Sequence, residues 1–334
     1  MTAYIFRRLL WFIPVLVAVG FVTFMIARMT PGGPFDRDPT RRQIPASTER
    51  ILRAKFGMDL PVWRQFTRYM FFDIETDPKT GGNKIVWGAL GGNLGPTYQS
   101  RGAQTVQDYL FRGVSGKPSR FAYSARLGLQ AIIFALVLGV PLGVLAALRQ
   151  NTWVDYLSLF VSTFFAALPS LITGLLLLLL FSVQLGWFNV IPNWNEPITP
   201  WILPTITLGM GLTAFIARLT RNSVLEVKRQ DYVRTARAKG LGDFSVNSRH
   251  ILRNALLPVV TIMGPVFAAL ISGTLYTEII FQVPGMGTSI IKSIAARDYS
   301  MIMGLAIFYT FILVTANLLV DLLYGVVDPR ITVK

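Results

Sequence analysis

Side chains that commonly carry catalysis are scarce in this chain of 334 residues. It contains no cysteine and a single histidine, His250. Disulfides, thiolate metal sites and cysteine nucleophiles are therefore excluded, and one imidazole leaves little room for proton-transfer chemistry. The pair Gly116-Lys117 is followed by proline and lacks the G-x-x-x-x-G-K-[ST] pattern that binds nucleotide phosphates. We expect no catalytic residues, no metal site and no cofactor bound by this chain.

A basic segment between two apolar runs gives the strongest functional signal. Residues 218–256 contain nine lysines and arginines against three acidic residues. Val233 and Ala236 recur at helical spacing among these charges, which predicts a short amphipathic helix resting on the protein core. Glycine tolerates the left-handed conformation of a helix stop, so Gly240 is expected to end it. Such a segment could bind a soluble protein or, as an ordinary juxtamembrane loop, anionic lipid.

A carboxylate near the end of another apolar run is the second signal. An ionised side chain at membrane depth costs at least about 2.5 kcal/mol, so such a residue commonly marks a transport pathway. A snorkelling or ion-paired carboxylate would explain Glu278 equally well. The candidate gate or pathway residues are Glu278, Phe281, Pro284 and Gly285.

The composition indicates that a lipid bilayer surrounds most of this chain. Hydrophobic residues make up 52% and charged residues 15%, against roughly 25% charged in soluble domains. A spanning helix needs about 20 mainly apolar residues. Six runs qualify, near residues 9–27, 127–148, 157–182, 201–219, 257–281 and 302–325. The sequence predicts an all-α polytopic membrane protein with six transmembrane helices.

The distribution of charge predicts an orientation with both termini in the cytoplasm. Basic residues near helix ends favour the cytoplasmic side, and segment 218–256 is strongly basic while the 183–200 loop has only one charge, an acid. Segment 29–123 is then outside, despite fourteen basic and eight acidic residues, because long loops translocate largely regardless of charge. The net charge of +15 lies mostly in these two segments, so no nucleic-acid partner is expected.

Three regions follow from this pattern. Residues 1–28 form an N-terminal anchor helix, since the apolar run is too long for a cleaved signal peptide. Residues 29–123 form an extracytoplasmic lobe between helices 1 and 2, with short helices expected near 47–56 and 62–72. Residues 124–334 form a core of five transmembrane helices, with a cytoplasmic coupling loop at 220–256 between helices 4 and 5.

The basic segment resembles the cytoplasmic coupling loop of ABC importer permeases. In Tyr232-Val-Arg-Thr-Ala-Arg-Ala-Lys-Gly-Leu241, Ala236 and Gly240 match the family pattern, whereas Arg234 and Thr235 replace its Glu-Ala pair. These departures are shared by the first permease of dipeptide and oligopeptide systems. Other segments of this chain also resemble sequence patterns of that family: Phe56–Pro61, Gly92–Gly95, Glu278–Gly287, Arg297–Tyr299 and Asp328–Ile331. Segment 73–90 matches no pattern of the family.

The resemblance implies both a site and a set of partners. Its residues for coupling to the ATPase subunits would be Tyr232, Val233, Arg234, Thr235, Ala236, Ala238, Lys239, Gly240, Leu241, Asn254, Leu257 and Pro258. Two separate ATP-binding subunits would hold ATP and magnesium, beneath a heterodimer of this chain with a sister permease. An extracytoplasmic substrate-binding protein would deliver di- or oligopeptides to this multi-pass protein of a prokaryotic cytoplasmic membrane.

Three alternatives differ in cargo or in mechanism. Permeases of this branch also import nickel chelates, glutathione or oligosaccharides, and no residue chooses among them. An ATP-independent channel would need a filter-like ring of polar residues, which the spans lack. A membrane-anchored enzyme with its catalytic domain at 29–123 is disfavoured, because that region contains neither Cys nor His.

Overall fold

The computed structural model describes residues 2–30, 45–76, 83–113, 117–271 and 274–327. The matched segment Asp328–Ile331 lies outside the described residues. The chain packs as two units, each described separately below. Among the described residues, the first unit contains 2–121 and 288–318, and the second contains 122–287 and 319–327.

The first unit combines long membrane helices with a small folded lobe. Its helices are α1 (Thr2–Met29), α2 (Ala46–Lys55), α3 (Val62–Met70), α4 (Val106–Phe111), α14 (Gly287–Ala295) and the first part of α15 (Tyr299–Val327). The two short helices expected near 47–56 and 62–72 are therefore confirmed as α2 and α3. Helix α4 begins where the Thr105 hydroxyl accepts a hydrogen bond from the Asp108 amide at 3.1 Å.

A β-hairpin in the lobe corrects the all-α prediction. Strand β1 (Phe72–Thr76) pairs antiparallel with β2 (Asn83–Trp87), with Phe72 opposite Trp87 and Ile74 opposite Ile85. The β-branched and aromatic residues favour strands here, but each strand is only five residues long, which makes the sequence pattern weak. A 3-10 turn at Ala89–Gly91 follows the hairpin.

The second unit contains the other long helices. They are α5 (Arg120–Leu148), α6 (Trp153–Ala167), α7 (Ser170–Leu177) with a π-helical continuation at Leu178–Gln184, α8 (Thr199–Lys228), α12 (Leu257–Ile271) and α13 (Leu275–Ile280). Short elements between α8 and α12 are α9 (Asp231–Ala238), α10 (Asp243–Ser245), a π-helical segment (Val246–Leu252) and α11 (Arg253–Ala255).

The third apolar run is not the single helix that the sequence predicts. Helices α6 and α7 meet at a bend of 98°. Pro169 causes the break, because proline lacks the amide hydrogen that would continue the helix and restricts the preceding Leu168 to an extended conformation. Five described helices are long and apolar enough to cross a membrane, or six if this bent pair is one span.

A seam of small residues sets the distance between α5 and α8. A Cβ atom built on Gly143 would stand 2.4 Å from the Ala217 carbonyl oxygen, and one on Gly139 would stand 2.9 Å from the Thr213 carbonyl oxygen. The backbones of the two helices therefore approach more closely than any side chain would permit. Small residues separated by three others commonly allow helices to approach this closely.

We expect Gly143→Ala to lower the thermal unfolding midpoint of the purified full-length chain, because the added methyl group must displace α8. Gly211→Ala is the matched control, since a Cβ there meets nothing within 4 Å. Removing a helical glycine at that open position should leave the midpoint unchanged or raise it slightly. Equal midpoints for the two variants would contradict the seam.

Candidate functional site

Helix α9 is attached to the second unit by its apolar face. Val233 is fully buried and Ala236 is 5% exposed. Both belong to one apolar cluster, which also contains Ala147 from the end of α5, Val224 from the end of α8, and Val246, Ile251 and Ala255. The predicted amphipathic helix is therefore present, and it rests on the ends of two long helices.

The opposite face of α9 is polar, basic and open. Asp231 and Arg234 form an exposed ion pair with 3.5 Å between Oδ1 and a guanidinium nitrogen. Such a surface pair contributes at most about 1 kcal/mol. The exposed residues of α9 and the turn after it are Asp231, Tyr232, Arg234, Thr235, Arg237, Ala238, Lys239, Gly240 and Leu241. We call these nine residues the basic face.

Gly240 ends α9 in the conformation that the sequence predicts. Its φ is +78°, a left-handed value that side chains rarely adopt, and a Cβ there would meet nothing within 4 Å. The chain turns at this point toward α10. Gly240 therefore has a backbone role, and the space around it is open to a partner.

Ala236 lies on the buried face of α9, as its helical spacing from Val233 predicts. The resemblance to the coupling loop includes both Ala236 and Ala238 among the residues for coupling to the ATPase subunits. Ala238 is exposed, but Ala236 packs inward beside Val233 because three residues of helix bring it to the same face. Ala236 therefore contributes to the site by packing against the apolar cluster, and it is not part of the exposed face.

Three of the predicted coupling residues, Asn254, Leu257 and Pro258, follow α9 in the chain and are not part of it. Asn254 donates a hydrogen bond from its amide nitrogen to the Tyr232 hydroxyl at 2.9 Å. This bond ties α9 to α11 across the intervening turn. Leu257 is half-buried and Pro258 is exposed at the beginning of α12, outside the apolar cluster beneath α9.

Phe244 is a surface feature that sequence reasoning missed. Its side chain is 87% exposed, the highest value among the exposed large hydrophobic residues described. It follows the Gly240-Leu-Gly242 turn and projects from α10 just beyond the basic face. An aromatic residue in this position is a typical anchor for a partner protein, because it offers a large apolar area for little loss of conformational entropy.

A buried ion pair links α8 to α6, and it was also missed. The Arg221 guanidinium donates to both Asp155 carboxylate oxygens, from Nε at 2.6 Å and from a terminal nitrogen at 2.8 Å. The Asn151 amide donates to the same carboxylate at 3.0 Å. Asp155 is 1% exposed, so the pair is largely shielded from water. It fixes the part of α8 that supports α9 to the beginning of α6.

Two of the predicted gate residues, Glu278 and Gly285, meet in a second, buried cluster. Glu278 is completely buried, and its carboxylate accepts a hydrogen bond from the Ser124 hydroxyl at 2.7 Å. That hydroxyl accepts in turn from the Met286 amide at 2.8 Å. A Cβ on Gly285 would stand 2.5 Å from both the Glu278 carboxyl carbon and the Ser124 oxygen, so glycine is required there. A snorkelling carboxylate is therefore wrong for Glu278.

Phe281 and Pro284 lie in the same region with different surroundings. Phe281 is 3% exposed and packs in an apolar cluster that includes Tyr123 and Trp201. Pro284 is half-buried in the turn between α13 and α14. These contacts tie that turn to α5 and α8, and the role of the four residues as a gate stays a prediction.

Most of the second unit and the end of the first unit match a known protein family. Residues 139–333 match the family described as binding-protein-dependent transport system inner membrane component. The match includes α9, the basic face, Phe244 and the Glu278 cluster. It excludes the lobe with the β-hairpin.

Several curated proteins are similar over their whole length. The dipeptide transport system permease protein DppB of Bacillus subtilis is 37% identical, over 99% of this chain and 98% of its own. The oligopeptide transport system permease protein OppB of Haemophilus influenzae is 34% identical, over 99% of both chains. The glutathione transport system permease protein GsiC of Escherichia coli O6:H1 is 33% identical, over 100% of both.

We expect Asp155→Asn to destabilise the purified full-length chain by about 3 kcal/mol, because it leaves the largely buried Arg221 charge without a counter-charge. Denaturant unfolding measures this loss. Asp231→Asn is the matched control, since the Asp231 side chain is 97% exposed, and it should change stability by less than about 0.5 kcal/mol. Similar stabilities for the two variants would show that the Asp155 pair is not a structural link.

Proposed function

Because this chain belongs to the family of binding-protein-dependent transport inner-membrane components, and is therefore a permease subunit rather than an enzyme, we propose that it imports di- or oligopeptides. It would work with a sister permease, two ATP-binding subunits holding ATP and magnesium, and an extracytoplasmic binding protein. The full-length similarity to dipeptide and oligopeptide permeases supports this cargo. Its proposed location is the cytoplasmic membrane of a prokaryote.

The proposed topology has six spans with both termini in the cytoplasm. Six spans result when the bent pair α6 and α7 crosses the membrane as one broken helix. The nine basic residues of segment 218–256 support a cytoplasmic position for α9, on the side where the ATP-binding subunits would lie. The lobe between α1 and α5 is then extracytoplasmic, on the side of the binding protein.

The observation that carries the proposal is the division of α9 into two faces. Its apolar face is buried in the cluster that contains Val233 and Val224. Its basic face and Phe244 are exposed in the part of the second unit that the structure describes, and they form a charged rim beside an aromatic anchor. That combination suits a folded protein partner better than lipid, because an isolated exposed aromatic next to a sharp turn fits a pocket.

The contacts beneath α9 suggest how a partner would move the membrane helices. A displacement of α9 acts directly on the ends of α5 and α8 through the apolar cluster. The Asp155–Arg221 pair extends the same displacement to α6. Closure of the ATP-binding subunits would then shift these helices together between inward-open and outward-open states, as a rigid-body change biased by the motor.

The Glu278 cluster would stabilise the contact between α5 and the turn after α13 while these helices move. It joins α5 through Ser124 to the turn after α13 through Met286. Separating a fully buried carboxylate from its hydrogen-bond partners costs a large free energy. The cluster would therefore hold the arrangement of these helices in discrete states during alternating access.

Glutathione is the second cargo to consider. It is itself a short peptide, and a glutathione permease is 33% identical to this chain over its full length. Nickel chelates and oligosaccharides remain further alternatives. The cargo is decided by which ligand of the cognate binding protein stimulates ATP hydrolysis in the assembled importer.

We expect Phe244→Ala to weaken the binding of the ATP-binding subunits to the permease pair. Truncating an aromatic anchor commonly costs about 2 kcal/mol, or about 30-fold in Kd. The affinity is measured by titrating the ATP-binding subunits onto permeases in nanodiscs. Ile191→Ala is the control, because Ile191 is 74% exposed in the loop before α8. Loss of affinity in both variants, or in neither, would contradict the anchor role.

We expect Gly240→Trp to abolish stimulation of ATP hydrolysis by a peptide-loaded binding protein, because the bulky ring occupies the open space at the basic face. Gly186→Trp is the matched control, since Gly186 also has a positive φ, +64°, and open space around it. Both variants carry similar backbone strain, so only the location differs. Normal stimulation in Gly240→Trp would refute the coupling role.

The same reconstituted importer tests the cargo. A binding protein loaded with a dipeptide should stimulate ATP hydrolysis in the unmodified complex. Stimulation by glutathione and not by dipeptides would move the cargo to glutathione and leave the coupling role intact.

A further inference from the structure

The first unit contains a cavity that the transport proposal does not use. Its volume is about 360 Å³, within the range of small-ligand sites. Its walls come from the last turns of α1, from α2 and α3, from the hairpin, and from the beginning of α15. All of these residues belong to the first unit.

Among the residues that line the cavity, the basic side chains outnumber the acidic ones. Arg28, Lys55 and Arg68 line it together with a single carboxylate, Asp73. Arg68 contacts that carboxylate at 3.3 Å. Among the described residues, the Lys55 ammonium donates to the carbonyl oxygens of Arg101 and Gly102, at 3.4 and 3.3 Å. The cavity therefore favours an anion.

Arg28 is the cation with the least compensation. It is half-buried, and its guanidinium lies 5.7 Å from the centre of the Phe24 ring. Within the ranges that the structure describes, it has no carboxylate partner. A partly desolvated charge of this kind is stabilised when an anion binds beside it.

The tyrosines of the cavity add a hydrogen-bond donor and no negative charge. The Tyr69 hydroxyl is shielded from solvent and has no hydrogen-bond partner among the described residues. Burial raises the pKa of Tyr98 to about 12, and it raises the pKa of Tyr69 further in the same direction. Both phenols therefore keep their protons at neutral pH, and Tyr69 has a donor to offer a ligand.

An exposed apolar surface borders the cavity. Phe72, Ile74, Ile85 and Trp87 are each more than half exposed, and their strand register places them on one face of the hairpin. The Phe72 and Trp87 rings are in edge contact at 6.2 Å. Trp87 also lines the cavity, so the apolar face and the cationic cavity are continuous.

The position of α1 indicates what occupies this surface. Residues Phe6–Met29 form one of the helices long and apolar enough to cross a membrane, and Arg28 lies in its last turn. Lipid headgroups lie at the level where such a helix leaves the hydrocarbon, and tryptophan and arginine are common there. A cationic cavity beside an apolar face at this level matches both parts of a phospholipid.

We propose that this cavity binds the phosphate headgroup of an anionic phospholipid, with the acyl chains lying along the apolar face of the hairpin. The phosphate contacts Arg28, with Lys55 and the Tyr69 hydroxyl beside it. The lipid fixes the lobe against the membrane surface. This inference depends on neither the cargo nor the side of the membrane on which the lobe lies.

The test measures lipid binding to the purified full-length chain by native mass spectrometry. The probes are dioctanoyl phosphatidylglycerol and dioctanoyl phosphatidylcholine, which differ in net charge but share the same acyl chains. The chain should retain the anionic lipid in preference to the zwitterionic one. Arg28→Gln should reduce that preference about fivefold, the factor that one basic residue contributes near an anionic surface.

Matched variants separate the cavity from general surface charge. Arg112→Gln removes an arginine of the same lobe whose side chain is 80% exposed and outside the cavity, and it should keep the preference. Trp87→Ala should weaken both lipids equally, because it removes apolar contact and no charge. Equal binding of the two lipids to the unmodified chain would overturn the proposal without any variant.

Competition identifies the source of the anion. Inorganic phosphate and the dipeptide Ala-Phe, each at the concentration of the lipid, should not displace it. Displacement by phosphate would show a soluble-anion site, and displacement by the dipeptide would show a cargo site. Either result would overturn the lipid assignment, and neither bears on the coupling role of α9.

Discussion

The apolar contact between α9 and the ends of α5 and α8 is the constraint on which the functional geometry depends. Val233, which is fully buried, and Ala236, which is 5% exposed, both take part in it. Burial of a few small side chains contributes only a few kcal/mol. That free energy is sufficient to hold α9, an eight-residue helix that would not be stable alone, against α5 and α8. Everything exposed on α9 is therefore presented from a fixed position.

Two further interactions make the helices under α9 respond as a group. The glycine seam brings the backbones of α5 and α8 into direct contact, so one cannot move independently along that seam. The Asp155–Arg221 pair adds α6, and separating its charges would leave each of them poorly solvated. Close packing and buried charge both resist gradual deformation, which favours a change between discrete arrangements.

The lobe of the first unit differs from the second unit in where its aromatic and basic residues lie. Its aromatic and basic residues surround a cavity instead of filling a core, and its hairpin exposes apolar side chains on one face. A soluble domain of this size would ordinarily avoid such a surface. A lobe attached to a membrane helix can use it, because the headgroup region accepts aromatic rings and basic side chains together.

The sequence by itself determined the class of protein, the apolar runs and the place of the basic amphipathic helix. These depend on local composition and on helical periodicity, which the order of residues records directly. The stop at Gly240 was likewise readable, because it depends on the left-handed conformation that glycine tolerates. The broken third run was missed, although Pro169 was visible, because an apolar composition does not reveal the direction of the chain.

Only the tertiary structure decided which side chains meet. Asp155 and Arg221 are 66 residues apart, and Ser124 and Glu278 are 154 apart, so no local pattern pairs them. The outward direction of Phe244 depends on how α10 lies against its neighbours. The cavity around Arg28 joins five separate segments of the chain, and its charge exists only once packing has brought those segments together.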